Sequence, residues 1–96
     1  GGAVVISDAE DGSRMSVLLR FYDSTVELPD ISYLGYDLTY MAGGTEIKYK
    51  LMQYTEDDGV GSWHYDAFAR HDDLSYYITY HTSKDDVTEL FESLFG

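Results

Sequence analysis

The 96-residue chain has no cysteine and one proline, Pro29. Without thiols it holds no disulfide framework, no thiolate metal site and no thiol nucleophile. Lack of disulfides does not assign a compartment, because exported domains need not contain them. Positive charge is scarce as well. Six Lys+Arg stand against eighteen Asp+Glu, for a formal net charge of −12. Duplex nucleic acid and anionic bilayers repel such a chain, so no nucleic-acid partner is expected. Long apolar runs are also missing. Residues 3–6 and 15–19 are the longest, of strand length and far short of the ~20 residues of a membrane helix. No signal peptide is visible. Gly1-Gly2 reads as the remnant of a trimmed longer chain, so contact with a membrane is expected only through an upstream tether.

What is present is apolar and aromatic. Apolar residues make up 44% of the chain and aromatics 16%, ten of them Tyr. This is enough to build one core, and Tyr suits half-buried strands where the ring packs and the hydroxyl stays wet. The last third is the most legible part. Trp63, Tyr65 and Ala67 alternate with His64, Asp66 and Phe68. Leu74, Tyr76, Ile78 and Tyr80 then alternate with Ser75, Tyr77, Thr79 and His81 after a polar turn. Beyond Thr82 the period changes from 2 to 3.6. Val87, Leu90, Phe91, Leu94 and Phe95 fall on one face of a helix. Ser83 is the expected N-cap, with Asp86 three residues on, and Gly96 the expected C-terminal cap.

Earlier segments are shorter. Residues 3–6 form a β-branched run, and Met15, Val17, Leu19 and Phe21 share a face that Leu18 complicates from the other side. Pro29 marks an edge or a turn. A strand over 31–41 changes phase at Leu34-Gly35, which predicts a bulge or bend. Ala42-Gly43-Gly44-Thr45 is the best hairpin signal, because its glycines supply positive φ. The return strand exposes Lys48 and Lys50, expected to pair with Asp37 and Glu46. The prediction is one α+β domain over residues 1–96. It is a two-layer domain, an antiparallel sheet of about five or six strands with one C-terminal helix packed on one face. Strands lie near 3–6, 15–22, 31–41, 46–55, 62–69 and 74–81, and the helix near 84–95.

Candidate chemistry is thin. Asp8, Glu10, Asp11 and Gly12, and likewise Glu56 to Gly59, crowd carboxylates beside glycine, but neither stretch carries the spacing of a calcium loop. They read as solvated turns. His64 and His81 lie on neighbouring strands near Asp66, without the further ligands of a transition-metal site. No nucleophile elbow and no phosphate-binding glycine loop occurs. The expectation is a non-enzyme with no catalytic residue, no metal and no cofactor. The candidate interaction surface is aromatic: Trp63, Tyr65, Phe68 and Tyr77, with His64 and His81. A second packing layer formed by the N-terminal strands is the competing use of those rings.

Several pieces in order resemble a known family. Leu28-Pro29 followed by Tyr33 forms one piece. The strand Leu38-Thr39-Tyr40, the glycine turn and the return strand from Ile47 form the next. Trp63, then Tyr76-Tyr77-Ile78, then Ser83-Lys84-Asp85-Asp86 with Leu90 and Ser93-Leu94 complete the set. Across residues 27–94 this order is similar to the domain-of-unknown-function 4367 family, although the asparagine common in that family's hairpin turn is absent. The resemblance implies an exported, tethered, non-enzymatic domain of bacterial lipoproteins and proteins like anti-sigma factors. It brings no catalytic residues. The function expected is therefore an extracytoplasmic binding or sensing module of the bacterial envelope, with a protein or glycan partner. The alternative is a small acidic cytosolic inhibitor or immunity protein, mimicking nucleic acid, that binds a basic protein.

Overall fold

A computed structural model describes residues 2–10, 12–21, 35–54, 63–72 and 74–96. These residues form six strands and a helix: β1 (Gly2–Asp8), β2 (Arg14–Phe21), β3 (Leu38–Ala42), β4 (Thr45–Tyr54), β5 (Trp63–His71), β6 (Leu74–Thr82) and α1 (Thr88–Phe95). The strands make one antiparallel sheet of order β1-β2-β6-β5-β4-β3. The expected α+β class, antiparallel sheet and C-terminal helix are all observed.

Turn chemistry sets the hairpins. In the first, the Ala9 N–H donates to the Ser13 carbonyl at 2.8 Å and the Gly12 N–H to the Ala9 carbonyl at 3.1 Å. Gly12 has φ +89°. This is a three-residue loop closed by a glycine in the left-handed region. The acidic stretch around Asp8 thus serves to reverse the chain, and Asp8 is tied to Arg14 at 2.7 Å. In the β3–β4 turn Gly43 and Gly44 have φ of +55° and +85°, as a two-residue hairpin of the expected kind requires. Asp72, with φ +49°, starts the tight β5–β6 turn, a conformation aspartate tolerates better than most residues.

Several expected boundaries change. β1 extends beyond 3–6 in both directions, because every residue from Gly2 to Asp8 finds a partner on β2. The strand expected over 31–41 joins the ladder only at Leu38. Residues 31–34, Pro29 and the acidic stretch 56–61 lie outside the described residues. Gly35, at the expected change of phase, lies in a turn with φ +89°, and a register shift falls between Leu51 and Gln53, where Met52 leaves the β4–β5 ladder. The N-terminal strands do not form a second layer. They extend the same sheet, because β2 pairs with β6 along its whole length.

The helix begins at Thr88, later than the expected start at residue 84, and Ser83 does not cap it. Val87 precedes the first turn and is buried. Its carbonyl accepts the first bonds of the helix, from the Leu90 N–H at 3.1 Å and the Phe91 N–H at 3.3 Å. Asp86 takes over the capping role: its Oδ1 accepts from the Thr88 N–H at 2.9 Å and the Thr88 hydroxyl at 2.7 Å. These bonds hold the Asp86 carboxyl below its ordinary pKa. At the other end the Gly96 N–H donates to the Glu92 carbonyl at 2.9 Å, as expected of a glycine cap. The apolar stripe meets the sheet. The Phe91 ring lies 5.1 Å from that of Tyr49 and 5.9 Å from that of Tyr40. The Phe95 ring lies 4.9 Å from that of Tyr76. Val17, Ile47, Ala67 and Ile78 complete the core beneath them. Full burial of one such phenylalanine contributes roughly 1.5–3 kcal/mol.

Candidate interaction face

Register and alternation assign each strand residue to one side of the sheet. Tyr65 stands opposite Tyr80 and Ala67 opposite Ile78, on the side of α1. His64 stands opposite His81, Asp66 opposite Thr79 and Phe68 opposite Tyr77, on the other side. The six residues singled out from the sequence are therefore split. Trp63 and Tyr65 share the helix side, where the Trp63 ring packs 4.3 Å from that of Tyr54. Tyr65 is only 6% exposed. Its phenol pKa is raised, first by burial and then by Asp85 and Asp86.

Phe68 belongs to the opposite face yet is only 3% exposed. The Tyr77 ring lies 5.0 Å from it, and the Arg70 guanidinium lies 5.9 Å from its centroid. As contact surface, then, Tyr65 and Phe68 are corrected to buried packing residues. His64, His81 and Tyr77 remain together on the face opposite the helix, with Tyr77 38% exposed. The closeness of the two histidines, expected from alternation, is observed. Their rings stack at 4.7 Å with an interplanar angle of 11°. Among the described residues no three His, Asp or Glu side chains converge as a metal set.

One participant had no signal in the sequence. Tyr36, outside any strand, donates its hydroxyl to Asp66 Oδ2 at 2.5 Å. Lys50 Nζ sits 4.6 Å from the Tyr36 ring centroid, a cation–π arrangement. Desolvation, and then the Asp66 carboxylate, push the Tyr36 phenol well above its ordinary pKa. Lys48 takes Glu46 at 3.3 Å, along its own strand, and donates to Thr39 Oγ1 at 3.0 Å across the ladder. Of the expected lysine partners, Glu46 is thus met, but on the same strand, and Lys50 reaches Tyr36.

Charge is unevenly distributed over the two sides. Arg14, opposite His81, shares the histidine face with Lys48, Lys50 and Arg70, and the carboxylates of Asp8, Glu46 and Asp66 belong to the same side. On the helix side Asp85, Asp86 and Glu89 are exposed, and Glu92 Oε1 accepts the Tyr40 hydroxyl at 2.6 Å. A shallow depression between β6 and α1, lined by Tyr80, Lys84, Asp86, Glu89, Leu90 and Ser93, has a volume of about 160 Å³. Small-molecule sites usually enclose roughly 300–1,000 Å³. That depression is smaller than such a site.

No family model, curated protein or solved structure matches the chain.

Proposed function

We propose that the protein is a non-enzymatic binding or sensing module of a bacterial envelope protein, held outside the cytoplasm. In this reading the domain has two layers, the helix covering one side of the sheet and the ligand meeting the other. The extracytoplasmic assignment rests on the order of family-like motifs over residues 27–94. The binding face rests on one observation: the stacked His64–His81 pair and Tyr77 stand on the same side of the sheet as Arg14, Lys48, Lys50 and Arg70. Flat arrays of aromatic and cationic groups suit the planes and carboxylates of a protein or acidic glycan.

The test is an amide-shift titration with polygalacturonate as the acidic glycan and dextran as the neutral one. Shifts confined to His64, His81, Tyr77, Lys48 and Lys50, and abolished in Lys48→Glu/Lys50→Glu, support the reading. The absence of shifts at that face with either polymer overturns it for glycans. An amino-terminal lipobox or membrane helix in the full gene product supports the location, and its absence counts against it.

The exposed carboxylates of Asp85, Asp86 and Glu89 favour a second reading, an acidic inhibitor that docks a basic protein through the helix side. Titration with polylysine separates the two readings. The second requires saturable shifts centred on α1 that disappear when those three residues are neutralised.

A further inference from the structure

The outer edge of β1 carries the longest run of exposed apolar side chains in the described sheet. Val4 is 63% exposed, Val5 46% and Ile6 61%. Edge strands commonly carry a proline, a lysine or a bulge that blocks further pairing. β1 has the sequence GAVVISD, and its ladder with β2 runs without a register shift. The other edge, β3, is five residues long.

The first turn fixes which backbone groups of β1 point outward. Ala9 donates to Ser13, and their residue numbers sum to the same value as the pair Asp8↔Arg14. Ala9 therefore sits at a hydrogen-bonded position of the β1–β2 ladder. In an antiparallel ladder such positions alternate. Ser7, Val5 and Ala3 thus spend their N–H and C=O on β2, whereas Asp8, Ile6, Val4 and Gly2 direct theirs away from the sheet.

We propose that two copies of this chain associate through β1, antiparallel, about a two-fold axis beside Val5. This register suits the strand. Val4 faces the partner's Ile6 and Gly2 faces the partner's Asp8, and these pairs use the outward amides and carbonyls. Val5 faces Val5 of the partner in a non-hydrogen-bonded pair, where side chains approach most closely. No like charges oppose one another: Asp8 meets a glycine and is already paired with Arg14. The two-fold closes the assembly as a dimer, whereas β1-to-β3 pairing would propagate without end. The sheet becomes continuous across both copies, with both helices on the same side. The contact is narrow and each copy carries −12, so association is weak at low salt and strengthens as salt screens the repulsion.

Sedimentation equilibrium of the whole chain tests this at about 5–500 µM, in about 0.05 and 0.5 M NaCl. The mass should rise from 10.9 kDa toward twice that value and level off, more readily at high salt. Ile6→Pro removes an outward N–H and leaves the β1–β2 bonds intact, so it should weaken association at least about tenfold with an unchanged circular dichroism spectrum. The chain has no cysteine, so Val5→Cys reports the register directly. It should oxidise to a covalent dimer faster than Val4→Cys or Ile6→Cys. A mass fixed at the monomer value, a mass that climbs without a plateau, an Ile6→Pro variant that associates normally, or preferential crosslinking at residue 4 or 6 would each overturn the proposal.

Discussion

Alanine substitutions at the adjacent glycines 43 and 44 separate two forces that usually act together. Both residues have positive φ, +55° and +85°. Conformation alone ranks Gly44→Ala as at least as costly, because +55° lies near the left-handed minimum open to an L-residue and +85° lies further from it. Packing ranks them in the opposite order. A Cβ at Gly44 meets nothing within 4 Å. A Cβ at Gly43 lands on the Phe95 carbonyl oxygen, with the Phe95 carbonyl carbon and Gly96 Cα each at 3.2 Å. All three are backbone atoms, so relief requires the turn or the end of α1 to move. Left-handed strain is worth about 1–2 kcal/mol at either position. The overlap adds about 1–3 kcal/mol at Gly43 alone.

With a urea slope of about 1–1.5 kcal/mol per molar for a chain of this size, the two midpoints should differ by about 0.7–3 M. Urea titration followed by Trp63 fluorescence and by far-ultraviolet circular dichroism measures them. Gly43→Ala should be the less stable. Equal midpoints, or a lower midpoint for Gly44→Ala, would refute the packing argument and with it the seating of the helix end on the β3–β4 turn.

Two further outcomes follow from the core and from the Tyr36 contact. Phe91→Ala, at a fully buried position that touches Tyr40 and Tyr49, should cost about 3–5 kcal/mol in urea unfolding and detach α1; a loss below about 1 kcal/mol would contradict the helix–sheet packing. Tyr36 has a folded-state pKa above the unfolded value of about 10, so its contribution is complete below pH about 10 and is lost as the pH rises toward the folded value. Absorbance at about 295 nm should show a late-titrating component whose last phenol is lost in Tyr36→Phe, and that variant should lose less stability above pH about 10. An unchanged late-titrating absorbance in the variant would assign the shift to another phenol.

The amino-acid sequence determined the local periods by itself. Alternation defined β5 and β6, the Gly-Gly pair defined the β3–β4 turn, and the stripe from Val87 to Phe95 defined the buried side of the final segment. These signals need only neighbouring residues, whose spacing fixes which side chains share a face. It did not decide which face of β5 the helix covers, because both are aromatic. Tertiary pairing settled that, taking Tyr65 and Ala67 under the helix and leaving His64, Phe68 and Asp66 on the reverse.

Strand order was equally invisible. The place of β2 beside β6 depends on pairing across more than fifty residues of chain, and local propensity carries no record of that separation. The late helix start, the Met52 register shift, the burial of Phe68 and the Tyr36–Asp66 contact have the same origin. Each arises where distant segments compete for one space, and that competition is resolved only once the whole sheet has formed.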